Sequence, residues 1–378
     1  MTLKKETNAH LYVHFPFCES KCHYCDFYSI GREQTKSEDA VTFKEALYLE
    51  SQKRVHELSD HLKTIFFGGG TPSMTDAADM AYALKPLMLD QRISAETEWT
   101  MEANPSSIDG DRLKEYRSLG INRISLGVQS THESYLKSMG RVHSHDTTKR
   151  ALEAIFHSGF NNVSVDLLCG IPGQTLEELK TSVETLTQYP ITHLSCYLLT
   201  LPKGHFLYKQ LPEDSFQLEH LLHLDELMRT AGFSHYEISN FSKEGYEARH
   251  NLAYWTHQGY TGLGPSAHSF DQAERRRFRN MASLPRYAAS LSKGLSPEDM
   301  SETLTELQFE LEKWMLALRL DRGVPFVWLK SKEQLAKYAS LEKNRLVVTH
   351  PSHSDRFRLT PKGFALSDSV ISALTLNL

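Results

Sequence analysis

Three cysteines fall within eight residues, Cys18-x3-Cys22-x2-Cys25, directly after an apolar strand-like run, Leu11-Tyr-Val-His-Phe15. No other stretch restricts the chain so tightly. A [4Fe–4S] cluster has four irons and takes four thiolates when it is closed. Three thiolates on a short loop leave one iron open to a further ligand, the feature that separates reactive metal sites from structural ones. The alternatives are three structural thiols, or a zinc site short of its fourth ligand. Zinc sites usually add a second cysteine pair at a distance. Here there is no second C-x2-C pair, and the remaining cysteines, Cys169 and Cys196, lie far from the loop inside apolar runs.

Beyond the loop, strand and helix signals alternate. Strands are predicted at His10–Phe15, Thr64–Phe67, Glu98–Glu102, Arg123–Val128, Asn162–Leu168 and His193–Leu199. Between them lie helical stretches: 37 to about 58, Asp76–Leu89, Asp109–Leu119, His132–Met139, Asp146–Ser158, and one opened by the capping box Thr175-Leu-Glu-Glu178. Six βα units imply a parallel sheet with helices outside, two short of a closed eight-stranded barrel. From 201 to 295 the rhythm is lost. After a helix at Ser215–Thr230 the segment reads as loop-rich, with Gly259, Gly262, Gly264 and Pro265 close together. Ser296-Pro-Glu-Asp299 reads as a helix start. Leu304, Leu307, Leu311, Trp314, Met315 and Leu318 follow at helical spacing, the pattern of a core-facing stripe. Two short strands, Arg345–Thr349 and Arg356–Leu359, and a helix from about Pro361 complete the chain. The expected division is therefore 1–200, 201–295 and 296–378.

The chain has 378 residues, 40% of them hydrophobic, and a formal net charge of −5. That charge gives no general attraction to nucleic acid or to an anionic membrane. Lys4 and Lys5 precede no apolar h-region, and no run approaches the roughly 20 apolar residues of a bilayer span. Five cysteines, three of them clustered, suit metal binding in a reducing compartment rather than a disulfide framework. A cytoplasmic location is expected, with at most transient membrane contact.

Tyr12, six residues before Cys18, and Tyr24 before Cys25 complete a pattern that resembles the radical S-adenosylmethionine (SAM) superfamily. Tyr12-Val-His-Phe-Pro-Phe-Cys18 and Tyr24-Cys25-Asp26-Phe27 resemble its coproporphyrinogen dehydrogenase-like branch, and within that branch the HemW-type heme chaperones. The resemblance implies an α/β fold: a partial (β/α)6 radical SAM barrel with a small C-terminal winged-helix-like α+β domain. It implies a [4Fe–4S] cluster on Cys18, Cys22 and Cys25, with SAM at the open iron. It also implies SAM contacts from Tyr12, Tyr24, Gly69, Gly70, Thr71, Glu102, Gln129, Arg141 and Asp166. The residue chemistry agrees. Gly68-Gly-Gly-Thr-Pro72 follows a strand, and glycines let a ligand approach the backbone. Glu102 and Asp166 can accept hydrogen bonds from an amine or from ribose hydroxyls, and Arg141 can grip a carboxylate. A structural ion pair is the competing role for each of the charged three.

Two departures separate the chain from the oxidase branch. That branch carries a fourth cysteine two residues after the third, where this chain has Phe27, and a long arm before its first cysteine, where this chain has 17 residues. His250-Asn251-Leu-Ala-Tyr254-Trp255 matches the H-N-x-x-Y-W motif of the chaperones and implies heme binding. An imidazole can ligate heme iron and aromatic rings can pack on a porphyrin, although such residues in an irregular segment also serve ordinary structure. His235, His257 and His268 are reserve ligands. Arg275-Arg-Arg277 could meet heme propionates or an acidic partner, or form a solvated face. The expected function is a heme chaperone that passes heme to apo-hemoproteins, which leans away from an enzyme. The alternative is an oxygen-independent coproporphyrinogen III dehydrogenase. A radical SAM enzyme acting on some other substrate is a third reading.

Overall fold

The computed structural model describes residues 8–89 and 92–375. Lys4 and Lys5 lie outside them. All six expected strands are present, at His10–Phe15, Thr64–Gly69, Glu98–Ala103, Arg123–Gln129, Asn162–Cys169 and His193–Leu198. Their side chains are buried almost without alternation; Val13, Ile65, Phe67, Met101, Ile124, Leu126 and Val165 have no exposure at all. That pattern belongs to parallel strands covered on both faces. The helical stretch 77–89 is broken at Leu84 into Ala77–Ala83 and Lys85–Leu89. Pro86 has no N–H to continue the ladder and restricts the residue before it.

The chain forms two compact units that do not follow chain order. Among the described residues, one contains those up to Val165 together with Gln258–Leu304; the other contains Asp166–His257 and those from Thr305 on. In the first unit five parallel strands run in the order Thr261–Leu263, His10–Phe15, Thr64–Gly69, Glu98–Ala103, Arg123–Gln129. The first of these comes from the segment expected to be loop. Its pairing, Leu11 with Thr261 and Val13 with Leu263, is secured by a polar cluster that sequence patterning does not reveal. Glu50, fully buried on the helix Asp39–Arg54, accepts hydrogen bonds from Gly264 N (2.7 Å), Asn280 Nδ2 (2.7 Å) and Tyr287 Oη (2.6 Å). Arg54 donates to Gly262 O at 2.7 Å. A buried charge is tolerable only when hydrogen-bonded in this way, and removing one partner of such a group costs about 3–5 kcal/mol.

The same unit holds a three-stranded antiparallel sheet, His268–Asp271, Arg276–Asn280 and Glu298–Thr303. The expected helix start at Ser296–Asp299 is therefore wrong. Arg276, Arg277 and Arg279 form ion pairs with Glu298, Glu302 and Asp299 across the strand pair. These cross-strand pairs override the local helix signal. The helix begins instead at Glu306, behind a capping box of Thr305 and Gln308.

In the second unit His193–Leu198, Asn240–Ser242 and Ser234–Glu237 pair antiparallel. Its C-terminal part sets helices Glu306–Ala317, Lys332–Lys343 and Ser367–Thr375 around a small sheet ordered Val324–Pro325, His353–Leu359, Val347–His350. This is the expected winged-helix-like arrangement. Trp314, Leu318, Val324, Phe357 and Val370 form its core. Leu307, assigned to the core stripe from its spacing, is 51% exposed.

Candidate cluster and cofactor site

The three-cysteine loop is tied at both feet. Phe17–Cys18 pairs in parallel with Ile30–Gly31, and Ile30 N donates to Pro16 O at 2.7 Å. Cys18 is buried, whereas Cys22 and Cys25 are half-buried. Thr71 Oγ1 lies 3.6 Å from Cys18 Sγ, and an Arg141 guanidinium nitrogen lies 3.4 Å from Cys22 Sγ. Burial pushes the Cys18 and Cys25 thiols above their usual pKa, and the charge of Cys22 adds to this at both. The three sulfurs thus sense one another. Among the described residues no group of three His, Cys, Asp or Glu side chains is drawn together as a metal ion would require. The thiols are spread along the loop, with N–H and O–H donors at two of them. Donors to sulfur are among the groups that tune an iron–sulfur centre. On that donor set the loop fits a cluster, since thiolate formation needs the compensation that iron and Arg141 supply.

The glycine run has a different origin from the one expected. Gly69 has φ +107°, and a Cβ there would stand 2.5 Å from the His14 ring. A Cβ on Gly70 would stand 2.6 Å from Phe17 O and 2.8 Å from Phe15 O. Gly70 N and Thr71 N donate to those two carbonyls, each at 2.7 Å. The run is glycine because the chain leading into the cluster loop crosses it in contact. Glu102 Oε2 accepts from Gly69 N at 3.2 Å. Burial and the charge of Glu102 keep the Tyr12 phenol well above its usual range. His14 Nε2 lies 2.8 Å from Tyr28 O, so it donates there, and His14 Nδ1 accepts from Tyr12 Oη at 3.1 Å. Burial lowers the His14 pKa to about 4, which keeps the ring neutral.

Arg141 binds protein groups: Gly127 O at 2.6 Å, Asn104 Oδ1 at 2.7 Å, and Cys22 Sγ. Asn104 Nδ2 in turn donates to Thr71 Oγ1 at 3.1 Å. Thr71, Asn104 and Arg141 thereby link Cys18 to Cys22 through side chains. A Cβ on Gly127 would come within 3.0 Å of the Gln129 amide and 3.1 Å of Arg141, so this glycine makes room for the guanidinium. Gln129 itself sits at the strand end with φ +66°, a strained backbone for a non-glycine residue. Tyr24 is held above its normal pKa by burial and by Cys22 and Cys25, against the pull of Arg141. Sequence reasoning missed Asn104, Gly127 and His14. The Ala-Asn-Pro after Glu102 was the only available signal for the first. Asp166 lies in the second unit, half-buried between Val165 and Leu167.

The H-N-x-x-Y-W motif is also in the second unit, and it is helical rather than irregular, at Arg249–Trp255. His250 is 1% exposed, and its Nε2 lies 2.8 Å from Tyr254 Oη one turn on. Asn251, Tyr254 and Trp255 are half-buried. The Arg319 guanidinium stands 5.5 Å from the Trp255 ring. Burial raises Glu237 nearby to about 7, against Ser239 N–H, Asn240, Trp255 and Arg319. Of the reserve histidines, His235 is engaged by Asp225 (3.0 Å) and His257 lies 3.4 Å from Glu312. His268 is exposed on its strand. Within the arginine run, Arg276 and Arg277 are laced to the neighbouring strand by ion pairs with Glu298 and Glu302.

Residues 12–186 match the model of the radical SAM superfamily. The chain is 30% identical to the heme chaperone HemW of Lactococcus lactis, with 99% of each chain covered. It is 36% identical to the HemW of Escherichia coli over 68% of this chain and 69% of that protein. The fold is similar to that of the E. coli coproporphyrinogen III oxidase HemN, a radical SAM enzyme, with a TM-score of 0.83 covering 98% of this chain and 91% of that one at 22% identity.

Proposed function

This chain belongs to the HemW heme chaperone family of the radical SAM superfamily, and on that premise we propose that it holds heme beside a [4Fe–4S]-bearing barrel and delivers it to apo-hemoproteins. The observation that carries the reading is end-to-end similarity to a chaperone, covering 99% of both chains. Phe27 supports it: where the oxidase branch has a fourth cysteine, this chain has an aromatic ring that is 64% exposed. The likeness to the oxidase structure is a likeness of fold.

Cys18, Cys22 and Cys25 hold the cluster, which supplies an electron-transfer centre when bound. Thr71 and Arg141 orient Cys18 and Cys22, and both favour the Cys18 thiolate. Tyr12, Tyr24, Gly69, Gly70, Thr71, Glu102, Gln129 and Arg141 are proposed to contact SAM. Gly69 and Gly70 offer backbone groups, and Glu102 offers a carboxylate beside a neutral Tyr12–His14 pair. Arg141 would meet a SAM carboxylate only by turning from the acceptors it now holds. Asp166 is assigned on resemblance alone. His250, Asn251, Tyr254 and Trp255 are proposed to support heme binding by forming a packed helix. The cytoplasm is the proposed location, and no helix among the described residues is long and apolar enough to cross a membrane.

The test is anaerobic reconstitution followed by hemin titration and transfer to an apo-hemoprotein, with coproporphyrinogen III, SAM and reductant in a parallel sample. Stoichiometric heme uptake and transfer without protoporphyrinogen is expected. Protoporphyrinogen formation with no transfer would replace the chaperone by the oxidase.

A further inference from the structure

Resting on the chaperone reading, we propose that a polar cavity in the second unit receives the propionate edge of heme, with Arg229 and Arg358 gripping the carboxylates. The cavity has a volume of about 340 Å³, and its walls include Arg229, Arg358, Ser234, His235, Phe233 and Phe364. All of these residues belong to the second unit. Ligand sites run from about 300 to 1,000 Å³ and combine an apolar wall with a few placed polar groups. This cavity stands at the small end of that range. It therefore takes the edge of a macrocycle and leaves the rest of the ring outside. Phe233 and Phe364, both buried, supply apolar wall for that edge.

The polar side of the cavity is held in place by buried groups. Asp225, 6% exposed, accepts from Arg229 Nε at 2.9 Å and from His235 Nδ1 at 3.0 Å. One carboxylate thus positions both side chains. The His235 ring is packed against Phe241 and Phe364, with centroids 4.2 and 4.7 Å away, so it forms wall rather than an iron ligand. On the strand His353–Leu359, Arg358 is held by Asp321. Arg356, two residues earlier and on the same face, donates to Arg322 O at 2.8 Å and to Gly323 O. A guanidinium presents five donors in a planar fork that matches a carboxylate. Asp225 takes Nε and one terminal nitrogen of Arg229, and Asp321 takes one terminal nitrogen of Arg358. Arg358 Nε is buried and has no hydrogen-bond partner among the described residues. Buried donors of this kind call for an acceptor, and a carboxylate docked on the guanidinium supplies one. Arg229, Arg356 and Arg358 also outnumber Asp225 and Asp321, so the balance among these charges favours an anion.

The test compares hemin with hemin dimethyl ester, whose propionates carry no charge. Both are titrated into the full chain, reconstituted anaerobically, as wild type, Arg358→Gln, Ser234→Phe and Lys337→Gln, with folding checked by circular dichroism. Arg358→Gln removes one donor fork. Ser234→Phe fills the cavity and leaves the ion pairs of Arg229 and Arg358 in place. Lys337→Gln removes one exposed cation outside the cavity. Wild type should prefer hemin to the ester. Arg358→Gln should cut that preference about tenfold with the ester's affinity unchanged. Ser234→Phe should weaken hemin by about the same factor, and Lys337→Gln should behave as wild type. Full preference for hemin in Arg358→Gln would overturn the site, and so would full hemin affinity in Ser234→Phe, which decides alone if Arg358→Gln does not fold. Wild type that binds hemin and its ester equally would overturn the site and leave the chaperone reading standing. Wild type that takes up neither would overturn both.

Discussion

The crossing at Gly70 gives a sharp perturbation, Gly70→Ala. The added methyl would lie 2.6 Å from Phe17 O, 2.8 Å from Phe15 O and 3.0 Å from Pro16 C, all backbone atoms. A carbon–oxygen contact needs about 3.3 Å, so the 15–17 segment must retreat by about 0.7 Å. That stretches the hydrogen bonds from Gly70 N and Thr71 N from 2.7 Å to about 3.4 Å, beyond the normal range. Leaving two backbone pairs unmade costs about 1–3 kcal/mol each, or about 2–6 kcal/mol in all. For a unit of this size, at about 2–4 °C per kcal/mol, the melting temperature should fall by about 4–24 °C. The retreating segment carries Cys18, so the iron-to-protein ratio after reconstitution should fall with it. Gly110→Ala is the control: nothing lies within 4 Å of its added methyl, at the first residue of a helix. It should be neutral or stabilising by up to about 1 kcal/mol. If Gly70→Ala melts within a degree of wild type and takes up full iron, the glycine run serves ligand approach, and the crossing argument fails.

The two units should respond oppositely to pH. His14 and His143 in the first are lowered to about 4 by burial, against about 6.5 unfolded. Between those values the unfolded state binds more protons, so their stability contribution, about 3 kcal/mol each, is present above pH 6.5 and lost as pH falls toward 4. Glu237 in the second unit is raised to about 7, so its contribution is present below about pH 4.3 and lost as pH rises through 7. Calorimetry from pH 5 to 8 should show the opposed slopes, with the second flattened in Glu237→Gln; parallel slopes would refute the assignment. Phe357→Ala removes a fully buried ring packed on Phe326 and Tyr338 and should cost about 3–5 kcal/mol in denaturant unfolding of the second unit, leaving iron content unchanged. Cys22→Ser should abolish the cluster by iron and sulfide assay, whereas Cys196→Ala, at a buried thiol away from the loop, should retain it.

The barrel strands were legible because both faces are covered, which writes apolar runs such as Ile124-Ser-Leu-Gly-Val128 into the chain. The cluster loop was legible because thiol spacing is a local property. The strand Thr261–Leu263 was not, because three residues carry no period and its place depends on Glu50, more than 200 positions earlier. Glu298–Thr303 misled because Pro297 and two acidic residues signal a helix locally, while their partners are arginines on another strand. Among site residues, Arg141 could be named from resemblance, but its attachment to Asn104, Gly127 and Cys22 is a tertiary fact. Burial of His250 was equally invisible, since the motif gives residue identities and not exposure.

The central claim is that this barrel carries heme as cargo. The most direct measurement is hemin transfer from the anaerobically reconstituted chain to an apo-hemoprotein, followed by the acceptor's absorption spectrum and its recovered activity. The account predicts about one equivalent of heme bound per chain and a donor band that decays as the acceptor band grows. A reconstituted chain with a full cluster that takes up no heme, or that holds heme without releasing any to the acceptor, would contradict it.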